Sequence, residues 1–170
     1  MKLEATIRLM KKIIEKDPEN NKILLFTTMD LEKRIWGFLT NVLQKANMPF
    51  VEVTRDDHGK RVSYFESSAE CKILLCSLSM FANGLNLTQA SHIIFLDPTN
   101  LFSVVEQGIG RVNRFSPKKE IEVYHIIVKG SIDEELRKIG RAAKNGREQG
   151  NELTVRELRQ IFGINNEYLD

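Results

Sequence analysis

Cysteine is nearly missing: the 170-residue chain holds two, Cys71 and Cys76. That excludes a disulfide scaffold and a Cys/His zinc array. Their five-residue offset predicts opposite faces of one strand, out of bonding reach of each other. Both read as buried thiols in a reducing compartment. An excess of either charge is missing too, since 25 basic and 23 acidic residues leave a net charge of +2. A histone-like polybasic protein and an acidic tail protein are excluded, while a local basic patch is not. No apolar run approaches the ~20 residues that a membrane span needs. The opening MKLEATIRLMKKIIEKD is charged throughout and has no signal-peptide core. Internal repeats and low-complexity tracts are absent as well. The expectation is a soluble intracellular protein that meets no membrane.

Several catalytic signatures are also lacking. There is no G-x-x-x-x-G-K-[ST] loop, because Gly59-Lys60 is followed by Arg61 and has no upstream glycine. No acidic pair follows an apolar strand, as a magnesium site requires. Asp133, Glu134 and Glu135 fall at a helix start, where capping explains them better than metal binding. His58, His92 and His125 are scattered, and neither a Ser-His-Asp nor a Cys-His set can be assembled. No metal-ligating residues are expected.

What is present is an apolar share of 42% and enough length to bury roughly 70% of the unfolded surface. Leu3, Ile7, Met10 and Ile14 form one stripe and predict a helix over 2–16, ended by Asp17-Pro18. KILLFTT at 22–28 reads as a strand, and Asp30 to Ala46 as a second helix. A short strand at 50–54, a polar loop and a short helix at 61–67 follow. KILLCSL at 72–78 and HIIFL at 92–96 are nearly unbroken apolar runs, which suit strands covered on both faces. A helix is predicted at 103–113, a strand at 121–128 and a helix from Ile132, opened by a Ser131/Glu134 capping box. Residues 137–160 hold seven basic and three acidic residues with Gly140, Gly146 and Gly150. They read as a helix breaking into a basic linker before a last amphipathic helix at 153–162. The alternation predicts an α/β fold with a mostly parallel central sheet flanked by helices, in one domain over 1–136. A linker and C-terminal helix would occupy 137–170.

Sites in such folds lie beyond the carboxyl ends of the strands. Two segments qualify, FANGLNL at 81–87 and DPTNLFSVVEQGIGRVNR at 97–114. On the helix at 103–113, Val105, Ile109 and Val112 repeat at helical spacing. Gln107, Arg111 and Arg114 have the same spacing about 200° around the axis. The first set predicts a face packed on the sheet. The second presents an amide and two guanidiniums, which suit a multiply charged phosphate; it also suits a solvated face. Gly84-Leu85-Asn86 reads equally as a close-approach loop and as a turn with a local Asn bond.

Taken together, these segments resemble the second RecA-like lobe of superfamily-two helicases, and within them the Swi/Snf-type DNA-dependent ATPases. QGIGRVNR at 107–114 is similar to motif VI, Q-x-x-G-R-x-x-R. FANGLNLTQASHIIFLDP at 81–98 resembles motif V and the strand after it. NKILLFTTM at 21–29 resembles the motif IV strand, and EVYHIIVKGSIDEEL at 122–136 the segment after motif VI. KLEATIRLMKKI, ANMPFVEV, YFESSAECKILLCSL and ELTVRELRQIF further resemble the SHPRH-type RING ubiquitin ligases.

The resemblance implies a three-layer RecA-like fold and a split active site, with ATP and Mg2+ held mainly by a first lobe. It implies that Arg111 and Arg114 reach the γ-phosphate, with Arg114 the arginine finger, and that Gln107 orients the nucleotide. Gly84 and Asn86 would meet the ribose or the lobe interface. Thr27, Ser77, Ser79 and Arg55 would contact DNA phosphates. Partners would be DNA, the first lobe, and chromatin or ubiquitination machinery; the location would be nuclear. The isolated lobe would not hydrolyse ATP. Three runs depart from the family pattern: Met80-Phe81-Ala82 for A-G-G, Asn100-Leu101-Phe102 for W-N-P, and Asn113-Arg114-Phe115-Ser116-Pro117 for H-R-x-G-Q. They leave a rival reading, a non-catalytic scaffold lobe with Met80 and Phe81 in an exposed apolar patch.

Contacts to phosphate release counterions, so binding of this lobe to DNA is expected to be weak, sequence-blind and steep in salt. Fluorescence anisotropy with a labelled duplex checks it: affinity falls sharply between about 50 and about 200 mM salt. An affinity that does not move with salt refutes the expectation.

Overall fold

The computed structural model describes residues 2–27, 33–53, 57–77, 87, 89–97, 109 and 121–144. The elements, in order, are α1 (Lys2–Lys16), β1 (Ile23–Thr27), α2 (Lys33–Lys45), β2 (Phe50–Glu52), α3 (His58–Ser67), β3 (Ile73–Ser77), β4 (His92–Phe95), β5 (Glu122–His125) and α4 (Ile132–Lys144). The five strands form one sheet in the order β2-β3-β1-β4-β5. Every pairing in it is parallel. The expected mostly parallel sheet is thus wholly parallel.

Burial on both faces explains why Ile23–Phe26 of β1, Ile73–Cys76 of β3 and Ile93–Phe95 of β4 are apolar without alternation. Leu24 and Phe26 look to one side, where they join Leu74, Cys76, Ile93, Phe95 and the α3 residues Val62 and Phe65. Ile23 and Leu25 look to the other, where Met10 and Ile13 of α1 and Leu39 and Leu43 of α2 cover Ile73, Leu75 and Ile94. The result is three layers around one sheet. Phe26 and Phe95 stack across the β1–β4 pair with centroids 5.4 Å apart.

Two expectations need correction. The strand expected at 121–128 stops at His125. Its neighbour β4 ends at Phe95, the partner of His125, and Ile126 N–H adds one further bond to that strand, to the Phe95 carbonyl at 3.0 Å. The cysteines do not lie on opposite faces of one strand. Cys71 precedes β3, so strand alternation does not reach it, and both thiols enter the same core cluster. They are unbonded, and burial pushes the Cys71 thiol up and the Cys76 thiol well up from the ordinary range.

The expected capping box is shifted by one residue. The Ser131 hydroxyl accepts from the Asp133 amide, while the Glu134 carboxylate accepts from the amide of Gly130, at φ +71°. Asp133 takes a different job: its carboxylate accepts from Val128 N–H at 3.0 Å and from Lys2 Nζ at 2.7 Å, tying the start of α4 to the start of α1. α4 continues through Gly140 to Lys144, so the boundary expected at 136/137 falls inside a helix.

Lys22, one residue before β1, is buried. Its ammonium donates to the carbonyls of Phe65, Glu66 and Ser68 at the end of α3. Terminal carbonyls of a helix lack partners of their own, and a cation there is favourable on charge as well. The same Nζ lies 5.1 Å from the Phe65 ring centroid.

Lys22→Met keeps the length and removes the donors, leaving buried carbonyls unmatched. The lobe is expected to lose about 2 kcal/mol or more in urea unfolding; unchanged stability would contradict the assignment. Cys71 and Cys76 are expected to resist a thiol reagent at neutral pH while folded and to react together on unfolding. Rapid labelling of either in the native protein would count against their burial.

Candidate functional site

In a parallel sheet all strands end at the same edge, so the carboxyl tips of β1, β3 and β4 lie side by side. Thr27 is the last residue of β1 and pairs with Ser77, the last residue of β3. Both are buried, at 5% and 1% exposure. On the other side of β1, Thr27 Oγ1 donates to the Asp97 carboxylate at 2.5 Å. Leu96 N–H donates to the Phe26 carbonyl at 2.8 Å, just inside that contact. Ser77, Thr27 and Asp97 thus form a polar row along the edge of an otherwise apolar sheet.

Both candidate segments are attached to this row. After Ser77 the chain comes back into the core at Leu87, which is fully buried. After Asp97 it comes back at Ile109, which is helical and packs on the Leu24/Phe26 side of the core. That contact agrees with the expected apolar face of the 103–113 helix. Of the residues singled out in the sequence, Thr27 and Ser77 are brought together. Arg55, Ser79, Gly84, Asn86, Gln107, Arg111 and Arg114 lie outside the described residues, as do Met80 and Phe81.

The hydroxyl of Thr27, a residue expected to contact DNA phosphate, donates to the Asp97 carboxylate. Asp97 is the residue that sequence reading passed over. Its signal was an acid placed directly between a buried apolar strand and Pro98. Its partner stands 70 residues away, which no local pattern displays.

A second polar group sits at the opposite edge, where β4 and β5 begin. His92 Nδ1 lies 2.8 Å from Ser91 Oγ, and His92 Nε2 lies 3.8 Å from Glu122. The Tyr124 hydroxyl donates to Glu122 and holds its carboxyl below the usual range, with His92 and Lys16 adding to the effect. These contacts hold the strand starts together, at the far end of the strands from the tip row. At the carboxyl end of the same pair, the His125 ring stacks on Phe95 with centroids 4.9 Å apart.

Comparison with known proteins gives a family. The model of the helicase conserved C-terminal domain matches residues 2–116. The human E3 ubiquitin-protein ligase SHPRH is 28% identical over 99% of this chain and 10% of its own length. The ATP-dependent helicase ULS1 of Saccharomyces cerevisiae is 27% identical over 96% of this chain and 11% of its own. The chain therefore spans about a tenth of the length of these relatives. The resemblance to the second lobe of Swi/Snf-type ATPases, and to SHPRH-type ligases among them, stands with these matches. In fold, the crystal structure of the C-terminal part of the Fun30 ATPase domain superposes with a TM-score of 0.74. It covers 92% of this chain and 47% of that one at 22% identity.

Proposed function

The chain belongs to the helicase conserved C-terminal domain family, and from that premise we propose that it is the second lobe of an ATP-dependent DNA translocase of Swi/Snf type. The family match carries the reading, because residues 2–116 take in both tip segments and all of 107–114. The relatives are named as helicase and ubiquitin ligase, and they extend well beyond this chain.

In this reading ATP and Mg2+ belong to a first lobe, which is a separate stretch of polypeptide. Residues 107–114 close over the bound nucleotide. Arg111 and Arg114 set positive charge against the γ-phosphate as charge builds in the transition state, Arg114 as the finger. Gln107 orients the nucleotide, while Gly84 and Asn86 face the ribose or the opposing lobe. Thr27, Ser77, Ser79 and Arg55 meet DNA phosphates at the same edge of the sheet. Closing and opening of the lobes then changes their spacing along the DNA, so each hydrolysis event becomes a step. Ligase chemistry, where it accompanies the lobe, lies in other parts of the polypeptide, since two core cysteines cannot build a zinc array. A nuclear location and chromatin or ubiquitination partners follow from the same reading.

Arg114→Ala in the complete two-lobed protein is expected to lower DNA-stimulated ATP hydrolysis by about 10³-fold or more. Phosphate release measured with and without duplex DNA checks it. Near-normal turnover would refute the finger.

A further inference from the structure

We propose that the groove between α1 and α2 is a docking site for an amphipathic helix whose apolar ridge is flanked by carboxylates. Docking there is independent of the function proposed above.

The groove is lined by two pairs at i, i+4 spacing, Leu3 and Ile7 on α1 and Phe38 and Val42 on α2. Residues so spaced stand one above the other, so each pair makes a ridge along its helix. Ala46, one turn beyond Val42, extends the second ridge. Leu3, Ile7 and Ala46 pack on the core beneath them and are only partly buried. Phe38 is 61% exposed, the most exposed large apolar side chain among the described residues. Leu39 and Leu43 face the sheet and fix the rotation of α2, so Phe38 stays beside the core rather than in it.

The charges at the rim indicate what kind of chain fits. Arg8 stands on one wall and Lys45 on the other, both exposed. Neither makes an ion pair or a side-chain hydrogen bond among the described residues. Lys2, by contrast, is already matched by Asp133 at 2.7 Å. Glu4 shares the rim with the two unmatched cations. A nucleic acid carries an unbroken row of negative charge, which would meet Glu4 and an apolar floor. A helix with separate carboxylates on its two flanks avoids both mismatches. Its ridge covers Ile7, Phe38 and Val42, one flank faces Arg8 and the other faces Lys45. The walls, Lys2–Arg8 and Phe38–Ala46, run about 9 Å and about 12 Å along their axes. That is the reach of an i, i+3, i+7 ridge, the usual pattern of a helix seated in a groove. The groove lies on the α1/α2 side of the sheet, whereas Leu87 and Ile109 pack on the other, so the occupant uses a separate surface.

The probe is a fluorescein-labelled helical peptide about four turns long, with leucines forming one ridge and glutamates on both flanks. A control peptide has lysine in place of every glutamate. Both are titrated into the full chain by fluorescence anisotropy, as wild type, as Phe38→Ser and as the double variant Arg8→Glu/Lys45→Glu. All three positions are exposed, and urea unfolding checks that each variant keeps its fold. The glutamate peptide is expected to bind saturably and about tenfold or more tighter than the lysine peptide. Phe38→Ser is expected to weaken it about tenfold or more. The double charge reversal is expected to invert the preference, so that the lysine peptide becomes the tighter ligand. Equal binding of the two peptides overturns the proposal, as does an affinity that Phe38→Ser leaves unchanged. Displacement of the peptide by a short DNA duplex assigns the groove to nucleic acid and overturns it too. Two further outcomes reassign the occupant and likewise overturn it. One is self-association of the wild type, seen by sedimentation, that Phe38→Ser abolishes; the groove then takes a second copy. The other is a gain of about tenfold in peptide affinity on Leu158→Asp; the groove then takes the chain's own C-terminal segment.

Discussion

Burial of β1 on both faces is the constraint from which the rest of the structure follows. A strand in that position exposes no side to water, so every residue from Ile23 to Phe26 must be apolar, and helices must cover it above and below. Covering helices enter through crossover connections, and such connections make neighbouring strands parallel. Parallel strands in turn finish at one edge. A polar row of Ser77, Thr27 and Asp97 can exist there because the apolar interior ends there. The chemistry assigned to this lobe is thus located by the same requirement that folds it.

The two faces are filled differently. On one, α1 and α2 lay long aliphatic side chains, Met10, Leu39 and Leu43 among them, against the sheet. On the other, α3 contributes Val62 and Phe65, joined among the described residues by Leu87, Ala90 and the helical Ile109. Leu87 and Ile109, one from each of the segments that follow a strand tip, therefore pack on the same face of the sheet.

Much of this was legible from local pattern. KILLFTT, KILLCSL and HIIFL lack polar alternation, and only doubly covered strands tolerate that, so the parallel sheet and the edge bearing the site could be read together. α1 could be read to both its ends, because Leu3, Ile7, Met10 and Ile14 keep helical spacing up to Asp17-Pro18. What could not be read depends on partners distant in the chain. The end of β5 is set by where β4 stops. Cys71 looked like a strand residue until the strand proved to begin at Ile73. Asp97 gained its meaning from Thr27, 70 residues earlier. Lys22 read as the first residue of the strand at 22–28, and its acceptors lie 43 to 46 residues later. The role expected of the arginines of 107–114 rests on family resemblance, since helical spacing by itself also suited a solvated face.

The socket around Lys22 has a consequence for what can replace it. An ammonium is compact and directs three N–H bonds outward, and three carbonyls at the end of α3 receive them. A guanidinium is flat and wider, with its donors confined to a plane. Arginine at this position would preserve the charge and forfeit the geometric match, so the exchange usually regarded as the mildest for a lysine is here among the disruptive ones.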